Sequence, residues 1–136
     1  LNDFSWMDQV DGSGGAIFFA AGVFHYFTRT QVIALARELE RRFPGGRLVF
    51  DAVGKLGKKL MRSTFKNFGM ENYDECLFVE NPDEPASWCD SATVTHRGYM
   101  LGYFSMDDPS VTGLHRFLAK LCDGMVGMRI FRFDFA

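Results

Sequence analysis

The chain has 136 residues and a formal net charge of -2, with 47% hydrophobic and 24% charged residues. That length suffices for one globular domain with a real core, and the composition excludes disorder as its main state. The near-neutral charge supplies no global field for nucleic acid or an anionic membrane, so neither is expected as a partner.

Along the chain, the cluster Gly12-Ser13-Gly14-Gly15 comes first. It precedes an apolar run instead of joining a strand to a helix, so it reads as a turn and not as a phosphate loop. The unbroken hydrophobicity of "GAIFFAAGVF" predicts a strand over Ala16 to Ala20, paired in parallel and covered on both faces. Thr28 and Gln31 then make a Thr-x-x-Gln capping box. Val32, Leu35, Ala36, Leu39 and Phe43 repeat at helical spacing until Pro44-Gly45-Gly46 stops the helix. "RLVFDAV" follows as a second strand, Arg47 to Ala52, and the short turns around the helix predict a parallel crossover.

A second helix is predicted over Leu56 to Phe68, with Leu56, Leu60, Met61 and Phe65 on one side. Lys55, Lys58, Lys59, Arg62 and Lys66 lie elsewhere on it, either as a solvated face or as an anion-attracting rim beside a ligand. The stretch from Gly69 to Asp90 is irregular and acidic, with room for a short helix at Pro82 to Trp88, and Ala92 to Tyr99 reads as a third strand. Asp108 as N-cap and Pro109 at the first helical position predict a third helix, whose stripe of Leu114, Phe117, Leu118 and Leu121 should be buried. The aromatic run from Met128 to Phe135 closes the chain as a strand.

Cys76, Cys89 and Cys122 are odd in number and widely spaced, with no Cys-x-x-Cys pair and no His placed to complete a zinc site. They read as reduced thiols of a cytoplasmic protein, and no metal is expected. His96 and His115 lack a partner at ligand spacing and read as structural or exposed, and Trp6 and Trp88 read as core.

Three segments in this order, "NDFSWMDQV", "FFAAGVFHYF" and "RRFPGGRLVFDAV", resemble the second half of S-adenosylmethionine-dependent methyltransferases of the leucine carboxyl methyltransferase family. The branch resembled includes the polyketide-synthesis O-methyltransferases. The likeness is good from Asp3 to about Asp51 and looser beyond. It implies an α/β chain forming the C-terminal half of a class I methyltransferase Rossmann-like fold: a mixed sheet with its last strand antiparallel and helices on both faces. The family strand order is 3-2-1-4-5-7-6, so the four predicted strands would be the fourth to seventh, with the last inserted between the second and third of this chain. The glycine-rich cofactor loop would follow a first strand that precedes this sequence.

The resemblance implies S-adenosylmethionine as cofactor. Asp3 and Phe4 match the pair that contacts adenine; the alternative is that Asp3 merely caps the short helix that starts near Ser5 and Phe4 is core. Gly22, Val23 and Tyr26 match the turn after the fourth strand, which lines the cofactor and acceptor pocket; Ala21 stands where many members carry glutamate, which puts the acceptor's identity in doubt. His25 lies in this turn and is the candidate to take a proton from an acceptor hydroxyl, or else a pocket wall. The implied activity is O-methylation of a hydroxyl or carboxylate on a small molecule or a protein terminus. The competing expectation is a noncatalytic, dimerising remnant of such an enzyme. Either way the apolar strand Ala16 to Ala20 would be an open edge, which predicts a homo-oligomer.

Overall fold

The computed structural model describes residues 2–69, 73–104 and 106–136. Four strands make one mixed sheet: β1 (Ile17–Ala20), β2 (Arg47–Ala52), β3 (Thr93–Gly98) and β4 (Arg129–Asp134). Their order is β1-β2-β4-β3. β1 and β2 pair in parallel from Ile17↔Arg47 to Ala20↔Phe50, whereas β4 runs antiparallel to both β2 and β3. This is the strand order, and the sense of the last strand, that the resemblance implied.

Helix α1 (Arg29–Arg42) forms where the capping box directs it. The Thr28 hydroxyl accepts from the Gln31 amide, and the Gln31 side chain accepts from the Thr28 amide at 2.9 Å, so two amides that would lack helical partners are satisfied. Val32, Leu35, Ala36 and Leu39 are its buried residues. They share one cluster with Leu48 and Phe50 of β2, with Phe131 and Phe133 of β4, and with Trp88. Phe50 is the hub of that cluster, stacked on Phe131 at 5.3 Å and on Trp88 at 6.0 Å between ring centroids.

Helix α2 (Lys55–Asn67) leaves β2 almost at once and builds a satellite cluster of Phe65, Tyr73 and Cys76. The short helix expected before Trp88 is a 3-10 turn, Glu84–Ser87. The Gly12 to Gly15 segment is a turn, closed by the Gly15 amide on the Gly12 carbonyl at 2.9 Å.

Helix α3 corrects the sequence in two respects. It spans Gly113–Leu121 with Thr112 as its N-cap, while Asp108 accepts from Ser110 in a separate turn upstream. The stripe expected to be buried is instead open: Leu114, Phe117 and Leu118 are exposed, and only Ala119 of the helix is buried. The periodicity is amphipathic, but it states only which face is apolar, and among the described residues nothing buries the stripe. Trp6, expected in the core, is 41% exposed and touches Phe18 only edge-on.

Against the helices expected on both faces of the sheet, and the cover expected on both faces of its first strand, cover is uneven. Alternate residues Phe18, Ala20, Leu48, Phe50, Phe131 and Phe133 face the α1 cluster. On the opposite face Ile17, Arg47, Thr95, Arg97 and Arg132 are exposed, and Phe19 is 75% exposed. β1 is an edge strand, so the expected open edge is present. Among the described residues no helix is long and apolar enough to cross a membrane.

Candidate functional site

The carboxyl ends of β1 and β2 lie side by side because the strands are parallel and in register, and this is where open α/β sheets bind ligands. After Ala20 the chain turns through Ala21 and Gly22, the latter at φ 65°, a left-handed conformation that favours glycine. A Cβ at Gly22 would meet no atom within 4 Å, so the turn faces open space. A single 3-10 turn, Phe24–Tyr26, then drops into the cap of α1.

Asp51 stands one residue past the last β1–β2 pair and ties the two ends together. The Gly22 amide donates to Asp51 Oδ1 at 2.5 Å, and His25 Nε2 lies 3.4 Å from Asp51 Oδ2. His25 is buried, at 8% exposure. Burial pushes the Asp51 carboxyl upward, but hydrogen bonds from His25 and the Gly22 amide outweigh it and hold the group below its ordinary value. The carboxylate is therefore ionised at neutral pH and can orient the imidazole. Asp51 offers a hydrogen-bond acceptor at the mouth of the sheet, where it lines a cleft with Ala21, while the His25 ring beside it is buried against Val53, Phe65 and Tyr73.

The other expected site residues occupy two neighbouring places. Ala21, Gly22 and Val23 form the rim of the turn, where Gly22 and Val23 are exposed. Tyr26 is also exposed, its ring edge-on to Phe65 of α2 at 5.2 Å. Asp3 and Phe4 lie at the start of α1: Asn2 accepts from Gln31 Nε2 at 3.1 Å, and Phe4 shares a shallow cleft with Thr30, Ile33 and Ala34. The Asp3 carboxylate accepts from the Ser5 amide at 2.8 Å, a turn bond two residues on, while Phe4 is the N-cap of the Ser5–Gln9 turn and no side chain caps it. Because a carboxylate offers about four lone-pair sites, this bond leaves acceptor capacity for a ligand amine.

Asp51 was not among the residues that sequence reasoning selected. Its signal was available, since an acid at the end of the apolar run Leu48 to Phe50 has no reason to be in a core strand. Beside α2 a second feature opens, a cavity of about 540 Å³ lined by Lys55, Lys59, Glu80 and Arg129. His96 packs on Phe131 and lies 3.6 Å from Asp83, and His115 bonds the Thr112 hydroxyl on the surface; neither belongs to the site. Compared with family models, with curated proteins and with solved structures, the chain gives no match.

Proposed function

We propose that this chain is the C-terminal, acceptor-side portion of an S-adenosylmethionine-dependent O-methyltransferase. The observation that carries the reading is the meeting of Gly22, His25 and Asp51 at the carboxyl ends of two parallel strands, in a sheet whose last strand is inserted antiparallel between its neighbours. The open face and edge of β1 support it further, since they are the surfaces that the first three strands and their helices would cover.

The cofactor supplies an electrophilic methyl group on a sulfonium. In this reading Asp3 and Phe4 hold the adenine, and the rim of Ala21, Gly22 and Val23 lets the cofactor approach the backbone closely. Asp51 keeps His25 in place, and for a hydroxyl acceptor His25 receives the proton that the oxygen loses; a carboxylate acceptor needs no base. Tyr26 lines the acceptor side.

The test is binding of S-adenosylmethionine to the product of the whole reading frame and to its Asp3→Ala variant. Loss of the adenine contact should weaken affinity by about 1–3 kcal/mol. Equal affinities would leave Asp3 with its turn bond to the Ser5 amide and nothing more. A second reading, a noncatalytic dimerising unit, is favoured by the exposed β1 edge alone and predicts no cofactor binding by the whole product.

A further inference from the structure

The lysines of α2 do not share one environment. Lys58 is folded inward, its ammonium 4.0 Å from the Phe78 ring centroid and donating to the Asp74 carbonyl, and Arg62 reaches Asp74 at 3.6 Å. Lys55 and Lys59 instead line the 540 Å³ cavity, one helical turn apart, a spacing at which like charges repel. Arg129, the first residue of β4, faces the same space. Among the described residues Glu80 is the only acid lining it, 3.6 Å from Lys55. Among the described residues neither Lys59 nor Arg129 has a carboxylate partner.

The back wall is bare main chain. The Gly54 amide donates to the Val126 carbonyl at 3.1 Å, and a Cβ on Gly127 would lie 3.1 Å from both Gly54 Cα and Gly54 N. The two glycines pack closely on each other, and a Cβ at either would press on the facing main chain. Three cations against one acid leave an excess of two positive charges in a cleft that excludes part of the solvent. That excess matches the charge of a phosphate monoester above its second ionisation, near pH 6. Arg129 brings a planar fork suited to two phosphate oxygens, while the lysines act as point charges.

We propose that this cleft is a binding subsite for a phosphate monoester. It begins three residues after Asp51, roughly 10 Å along an extended chain. Only the further step, that the phosphate belongs to the methyl acceptor, rests on the methyltransferase reading.

The test needs no cofactor. Inorganic phosphate is titrated into the isotope-labelled chain at constant ionic strength, with chloride as the control anion, and amide shifts are followed. Saturable shifts at Gly54, Lys55, Gly124 and Gly127 are expected at pH 7.5 and should weaken at least fivefold at pH 5.5. Lys55, Lys59, Glu80 and Arg129 are the titratable groups lining the cleft. Phosphate itself is the group that loses a charge. Arg129→Ala and the exposed Lys59→Glu should each weaken binding at least tenfold while the spectrum stays dispersed. Shifts that never saturate, that chloride reproduces, or that both variants retain would overturn the proposal. Because the readout is phosphate binding alone, failure of the methyltransferase reading would leave this result unchanged.

Discussion

Asp51 shows how one side chain links strand ends to chemistry. It satisfies the Gly22 amide and faces His25, so its removal should loosen the turn as well as the imidazole. Because its carboxyl is held below the ordinary value of 3.8, its stabilisation is complete above that pH and is lost as pH falls through the lower folded value. Asp51→Asn keeps the shape and removes the charge. At neutral pH the variant should be less stable by about 1 kcal/mol, a modest figure because the Gly22 bond is solvent-exposed. The gap should narrow as the wild type is acidified below about pH 4, and urea titrations at several pH values measure it. A gap that stays constant would mean that the charge of the carboxylate is not its source. The residue escaped sequence reading because its partners lie 29 and 26 positions away, and only the register of two parallel strands brings them together.

At the scale of elements, what was legible followed from local rules. The capping box marked the start of α1 to the residue, and the apolar runs placed all four strands within a residue or two. The misreading at α3 has an equally physical cause. Asp108-Pro109 is a valid helix start, but Asp108 closes its own turn with Ser110, and Thr112 supplies a second cap four residues on. A buried stripe cannot be inferred from amphipathicity alone, because periodicity states which face is apolar and not what covers it. Where tertiary partners are present the burial should be costly to disturb. Phe50 is 1% exposed and stacks among Phe24, Trp88, Phe131 and Phe133. Phe50→Ala should therefore cost about 3–5 kcal/mol, whereas Phe117→Ala on the open face of α3 should stay within about 0.5 kcal/mol. Thermal unfolding of both variants checks the contrast, and equal losses would place the α3 stripe in a core.

The whole molecule has one well-covered sheet face and one bare one, with an apolar edge strand between bare face and solvent. Among the described residues the main-chain groups on the outer side of β1 have no strand partner, and neither charge nor proline blunts the segment Ile17–Ala20. Two outcomes satisfy that edge, pairing with another copy or cover by the remainder of a methyltransferase sheet. The 136-residue chain alone should therefore self-associate at micromolar concentration, and should bind S-adenosylmethionine weakly, since it holds only the adenine side of the proposed site. Sedimentation showing only a 15.4 kDa monomer would contradict the first expectation.

The central claim, a cofactor seated on the turn after β1, is tested most directly by hydrogen exchange on the product of the whole reading frame, with and without S-adenosylmethionine. The account predicts that the cofactor slows exchange at Asp3 to Ser5 and from Ala21 to Tyr26, while β3 is unchanged. Binding that protects neither segment, or no binding at all, would contradict it.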